Sequence, residues 1–168
     1  MIKFIVTGPE SSGKTTMCKA ISKYFKINYV DEYAREYLNN LNRSYNKPDL
    51  LKIAQFQKNL ENKRRKITLL DTDLITIKIW SLYKYNSCDE WILNQIESQR
   101  SEKRFYFLCK PDVPWEDDPL RENPHNRNEI YNLYKTELEN LNANYIICKG
   151  DNRINQAISK ISNLISKI

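Results

Sequence analysis

Phe4-Ile5-Val6-Thr7-Gly8-Pro9-Glu10-Ser11-Ser12-Gly13-Lys14-Thr15-Thr16 is the stretch that decides how this chain folds. Gly8, Gly13, Lys14 and Thr15 match the pattern G-x-x-x-x-G-K-[ST], a loop whose backbone N–H groups cradle phosphates. Only three glycines occur in 168 residues, and two of them stand here. An anion-wrapping loop cannot carry side chains at its tightest bends, and the helix that follows offers the same phosphates its positive end. Apolar Ile2, Phe4, Ile5 and Val6 form a strand before the loop, and a helical run to Phe25 follows it. The expectation is nucleoside triphosphate binding, with residues Gly8 through Thr16 as the cradle.

Outward from that loop, short apolar runs alternate with helical stretches, the mark of an α/β domain with a parallel sheet. The pattern predicts strands over Ile2–Thr7, Ile27–Val30, Ile67–Leu70, Arg104–Cys109 and Asn144–Cys148. Helices are predicted over Lys14–Phe25, Glu32–Leu41, Pro48–Lys63, Leu74–Tyr83, Asp89–Gln99 and Asn128–Leu141, with a last one to the C-terminus. In the Pro48 helix, Leu50, Ile53, Phe56 and Leu60 read as one buried face. The last helix carries Ile154, Ile158, Ile161, Ile165 and Ile168. That stripe suits either a seam between copies in a homo-oligomer or packing against the sheet. It spans only about two heptads, short of a coiled coil, so packing is the expectation. With no repeat or linker, residues 1–168 read as one P-loop domain.

Composition bounds the partners. No apolar run reaches the ~18 residues of a membrane span. The loop motif begins too near the N-terminus for a signal peptide, and Cys18, Cys88, Cys109 and Cys148 are widely spaced. These features read as a reduced, cytoplasmic chain without a zinc site. The net charge of +6 invites a nucleic-acid reading, but lysine is spread over the whole chain. The compact cluster Lys63-Arg64-Arg65-Lys66 reads as a solvated helix end, so nucleic acid is not an expected partner.

The chemistry-bearing residues follow from the loop. Lys14 should reach the β- and γ-phosphates of ATP, and Thr15 should place its hydroxyl on Mg²⁺. Ile67-Thr-Leu-Leu-Asp71 is an apolar strand ending in an acid, the place of a second Mg²⁺-side group. Asp73, a little further on, could help at the same site or cap the next helix. Asp31 and Glu32 end the second strand, where ligands bind in open parallel sheets, and either could accept a proton from an attacking hydroxyl. Arg35 could steady phosphate or pair with Glu32 or Glu36. Between Lys110 and Arg127, Pro111, Pro114, Pro119 and Pro124 exclude a continuous helix. This is a candidate lid, with Arg121 and Arg127 as cations for a migrating phosphoryl group and Trp115 as a base-stacking or anchoring ring. Gly150-Asp151-Asn152-Arg153 after the last strand is a turn that could pass the adenine ring, which makes Arg153 a candidate ATP contact.

TGPESSGKTT, DEYAREY, DLLKIAQFQ, DTDLITIKIW and PDVPWEDDPLRENPHNR, in that order, resemble the P-loop kinase domain of NadR-type proteins and stand-alone ATPases of that group. The resemblance covers nearly the whole chain. It implies a nucleoside-kinase-like five-stranded sheet with a lid, ATP with magnesium, and phosphoryl transfer to the 5′-hydroxyl of a riboside, nicotinamide riboside first. NadR-type proteins also carry a nucleotidyltransferase domain; here the chain starts at the kinase strand, so adenylyl transfer and operator binding are not expected. In the riboside kinases the DEYARE segment resembles WEYGRE, whose Trp stacks on the nicotinamide ring, and Asp31 takes that position here. That substitution leaves open another nucleoside acceptor, or an ATP-binding regulatory module without kinase activity.

Overall fold

The computed structural model describes residues 1–62 and 66–166. Most of the Lys63–Lys66 cluster and Ile168 fall outside them. A five-stranded parallel sheet runs in the order β2-β3-β1-β4-β5. Its strands are β1 (Ile2–Thr7), β2 (Tyr29–Val30), β3 (Ile67–Asp71), β4 (Arg104–Cys109) and β5 (Asn144–Cys148). The helices are α1 (Lys14–Phe25), α2 (Tyr33–Asn39), α3 (Lys47–Glu61), α4 (Leu74–Tyr85), α5 (Glu90–Ser98), α6 (Arg127–Asn140) and α7 (Arg153–Ile165). The strand order reverses about β1, which opens a crevice beyond its carboxyl end between β3 and β4. The glycine loop lies there.

Alternation along the strands separates the two faces. Phe4, Val6, Phe105 and Phe107 pack against Met17 and Ile21 of α1 and Ala157 and Ile161 of α7. Ile5, Tyr106 and Leu108 pack against Ile75 and Ile79 of α4 and Ile130 and Tyr134 of α6. A third cluster joins α2, α3, α4 and α5 around Leu50, Ile53, Leu74 and Ile92. The α7 stripe is thus committed to this core: Ile161 is buried and Ile158 and Ile165 pack beside it. No helix of the described residues is long and apolar enough to cross a membrane.

Two expectations are corrected. The second strand is shorter than Ile27–Val30, because Ile27 is spent closing α1. Its N–H donates to Ser22 O at 3.1 Å and its carbonyl accepts from Ser22 Oγ at 2.5 Å, past a left-handed C-cap at Lys26. The α3 face is also rotated from the expected one. Phe56 is 52% exposed and stacks on Tyr33, ring centroids 4.8 Å apart. Gln57 is buried instead, where its Oε1 accepts the Tyr33 N–H at 2.8 Å.

Beneath α3 and α4 lies a buried ionic cluster. Lys3 Nζ reaches Glu61 Oε1 and Glu102 Oε2, each at 2.7 Å. Arg104 pairs with Glu61 and Glu102, and its Nη2 meets Asp73 Oδ2 at 2.8 Å. Tyr106 OH donates to the same Asp73 oxygen at 2.9 Å. Burial of this kind is tolerated only where each charge finds its partner.

Candidate functional site

Gly8 has φ +139°, and a Cβ there would stand 2.7 Å from Cys109 O, so only glycine lets the loop pass the end of β4. Gly13, at φ +83°, occupies the N-cap of α1 without a side-chain cap. The first N–H groups of α1 are therefore left for a ligand. Ser12 Oγ donates to Pro9 O at 2.8 Å and Lys14 Nζ donates to the same carbonyl at 2.8 Å. The lysine is thus held across the mouth of the loop by a neutral acceptor.

Thr15 Oγ1 donates to Asp71 Oδ2 at 2.6 Å. Asp71 is 2% exposed, and its Oδ1 has no hydrogen-bond partner. Burial pushes the Asp71 carboxyl above its usual range, while the Lys14 charge and the Thr15 hydroxyl pull it back. A buried hydroxyl–carboxylate pair with one orphaned oxygen fits Mg²⁺, which is held by few protein oxygens and keeps several waters. Among the described residues no cluster of three or more His, Cys, Asp or Glu forms a site for a metal held by protein alone.

A cavity of about 450 Å³ runs from the loop across the crevice. One wall is Gly8, Glu10 through Lys19 without Cys18, Arg153 and Ile154; the opposite wall includes Glu32, Arg35, Leu38, Thr76, Trp80 and Tyr134. Val113, Pro114, Leu120 and Arg121 of the proline-rich segment roof it. Glu32 precedes α2 and lines the cavity; burial raises its carboxyl pKa, opposed by Lys14. Asp31 is exposed and lines instead an adjoining hollow of about 560 Å³ that also touches Thr15, Glu32 and Asp71.

The structure brings Arg121 and Arg127 together although Pro124 separates them. Arg127 Nη1 donates to Ser11 O and Val113 O, each at 3.0 Å. Arg121 Nη1 lies 3.5 Å from Ser11 Oγ and donates to Glu116 O. Trp115 is flanked by both guanidinium groups, 5.9 and 5.6 Å from its ring centroid, and its Nε1 donates to Asp117. Arg35 pairs neither with Glu32 nor with Glu36; its Nη1 meets Asp118 Oδ2 at 2.7 Å across the cavity mouth.

Two candidates are engaged by the scaffold. Asp73 is fully buried, caps α4 through the Ile75 N–H at 3.1 Å, and is engaged by Arg104 and Tyr106. In a continuing strand Asp71 and Asp73 would share a face. Thr72, at φ +69°, breaks that alternation, a conformation a β-branched residue adopts only under constraint. Asp73 is therefore a cap and ion-pair partner. Arg153 lines the cavity, but its guanidinium donates to Ser12 O at 3.0 Å, Gly150 O at 3.0 Å and the Asp112 carboxylate. It braces the loop from behind, with these hydrogen bonds made to the scaffold. Thr76 and Trp80 lie within the DTDLITIKIW segment, but neither they nor the other wall residues Leu38 and Tyr134 show a chemical pattern of their own, and all four read in the sequence as helix core.

No curated protein matches the chain. Solved structures match its fold. The NadR protein in complex with NR is 20% identical, with TM-score 0.75 over 96% of this chain, which spans about half (51%) of that one. The YorR protein of Bacillus subtilis in complex with phosphorylated GDP is 16% identical, with TM-score 0.66 over 98% of this chain and 95% of that one. Deoxyadenosine kinase from M. mycoides, with products dCMP and dCDP, is 15% identical, with TM-score 0.61 over 99% and 100%. These likenesses establish the α/β P-loop fold with its parallel five-stranded sheet. The model of the AAA_28 family, described as an AAA domain, matches residues 3–153, and the chain belongs to that family.

Proposed function

We propose that the protein is an ATP-dependent small-molecule kinase, transferring the γ-phosphoryl of ATP to the 5′-hydroxyl of a riboside, with nicotinamide riboside the first candidate, in NAD salvage in the cytoplasm. The observation that carries this reading is the two-walled cavity: phosphate-binding loop on one side, Glu32 and an apolar wall on the other, two arginines above. A hydrolase needs no second wall; an acceptor does. The NadR complex with NR and the deoxyadenosine kinase complex lend the acceptor class its support.

In this reading the backbone N–H groups of the loop from Gly8 through Thr16 hold the triphosphate, and Lys14 leaves Pro9 O for the β- and γ-phosphate oxygens. Thr15 and Asp71 would hold Mg²⁺, which when bound neutralises phosphate charge. The segment 110–127 acts as a lid. The acceptor oxygen attacks the γ-phosphorus, the bond to the β–γ bridging oxygen breaks, and ADP leaves. Glu32 takes the hydroxyl proton, a task that its raised pKa suits. Arg121 and Arg127 stabilise the charge spreading over the phosphoryl oxygens; in so loose a transition state, positioning outweighs base strength.

The test is ADP release from Mg-ATP with and without a nucleoside panel led by nicotinamide riboside. Strong stimulation by that riboside, with its 5′-phosphate as product, is expected. Stimulation by another nucleoside would keep the mechanism and rename the acceptor. ATP binding without stimulation by any acceptor would replace the kinase with an ATP-binding regulatory module.

A further inference from the structure

A carboxylate inside an anion-binding loop needs a reason, because it repels the ligand the loop exists to hold. Glu10 is such a group. Its side chain turns away from the cradle and gathers donors from the proline-rich segment. Oε2 accepts the N–H of Asn123 at 3.0 Å, the N–H of Glu122 at 3.1 Å and the Asn123 side-chain amide at 3.4 Å. Oε1 lies 3.3 Å from the Glu122 N–H. Hydrogen bonds to an ionised acceptor are the stronger kind. From the far side, the Glu122 carboxylate accepts Tyr45 OH at 2.8 Å and Lys84 Nζ at 3.0 Å. The 122–123 turn is thus clamped between the phosphate loop and α4.

That turn lies between the two arginines that roof the loop. Arg121 immediately precedes it, Arg127 follows after Pro124, and both guanidinium groups reach Ser11, the neighbour of Glu10. Ser11 itself sits at φ +50° and its Oγ accepts the Glu116 N–H at 2.9 Å. Adjacent side chains of the loop, at positions where the phosphate pattern accepts any residue, therefore form the socket for the segment above it.

We propose that Glu10 is a positioning residue: its carboxylate docks the 122–123 N–H groups on the phosphate loop and so fixes Arg121 and Arg127 over the transferring phosphoryl group. The Glu10 carboxylate oxygens are engaged by the 122–123 segment, so it acts through the arginines. The assignment of the arginines to the transfer step rests on the kinase reading, whereas the docking itself does not.

Glu10→Gln tests it, since the amide keeps the shape but exchanges one acceptor for a donor facing other donors. Three measurements on the full chain separate the roles. Tryptic cleavage after Arg121, read by mass, reports the open segment, and loss of one charged hydrogen bond raises it on the order of tenfold. ATP binding by titration should change less than about threefold, because the backbone N–H groups that would hold the phosphates are not altered, while kcat falls on the order of tenfold if the arginines act in transfer. Glu10→Asp, a carboxylate withdrawn by one methylene, should open the segment as well. Unaltered cleavage in Glu10→Gln, or full rescue by Glu10→Asp, would overturn the assignment. If no acceptor is ever found, the cleavage and titration still decide the docking, so failure of the kinase reading stays distinct from failure of this one. Should Glu10→Gln fold poorly, Asn123→Ala, which removes the side-chain donor to Glu10, should raise cleavage in the same direction, and no rise there would count against the proposal.

Discussion

The ionic cluster beneath α3 and α4 and the phosphate end of the same sheet use the same kinds of side chain to opposite ends. In the cluster, Lys3 and Arg104 face carboxylates: Glu61, Glu102 and Asp73. At the phosphate end, Lys14, Arg127 and Arg121 rest mainly on carbonyls, those of Pro9, Ser11, Val113 and Glu116. A carbonyl satisfies hydrogen bonds without cancelling charge. One region is electrically closed; in the other, these three cations are held mainly by uncharged acceptors.

Four perturbations would break or sharpen that contrast. The largest is Arg104→Ala, which leaves Glu61 and Asp73, both fully buried, without their shared cation. Denaturant unfolding should show a loss of about 3–5 kcal/mol; a loss under about 1 kcal/mol would mean the cluster is not closed in the sense argued. Next is Lys14→Ala. Because its partner is a neutral carbonyl, thermal stability should barely move, while turnover falls about 10²–10³-fold. Asp31→Asn, in the adjoining hollow, should cost far less. Near-wild-type turnover in Lys14→Ala would remove its assigned role.

The smallest effect is a titration. Burial alone would push the Glu102 carboxyl up, but hydrogen bonds from Lys3 and Arg104 outweigh it and hold its pKa at about 2. A group with a depressed folded pKa stabilises the protein above its unfolded value of 4.5. That contribution is lost as pH falls from there toward about 2. Unfolding midpoints should decline over that window, and Glu102→Gln should flatten the decline. The change is modest because the Glu102 side chain is 30% exposed.

What was legible in the sequence is what is local. The phosphate loop, the strand ending at Asp71, the alternation of elements and the proline-rich break each declare themselves within a short window. The misreadings share another cause. Asp73 lies close enough to Asp71 in the chain to suit either the site or a helix cap, and the positive φ at Thr72 that turns it to the cap has no signal in the sequence. Phe56 looked like core because helical spacing cannot say that a buried glutamine will claim the face. The apolar wall of the cavity, Trp80 and Tyr134 above all, was hidden among core-like helix residues, since burial in a core and burial in a pocket have the same pattern. Arg153 shows the converse, a charged residue near the site whose hydrogen bonds are all spent on the scaffold.

The brevity of β2 has a consequence of its own. An open sheet ends in two rims of unpaired backbone groups, each a template onto which a strand of another molecule can add. On the β2 rim, α1 has already taken the backbone of Ile27, so a ladder of only Tyr29 and Val30 remains. A foreign strand would find too few donors and acceptors there to gain a hold. The closure of one helix thereby protects that side of the molecule from edge-on aggregation.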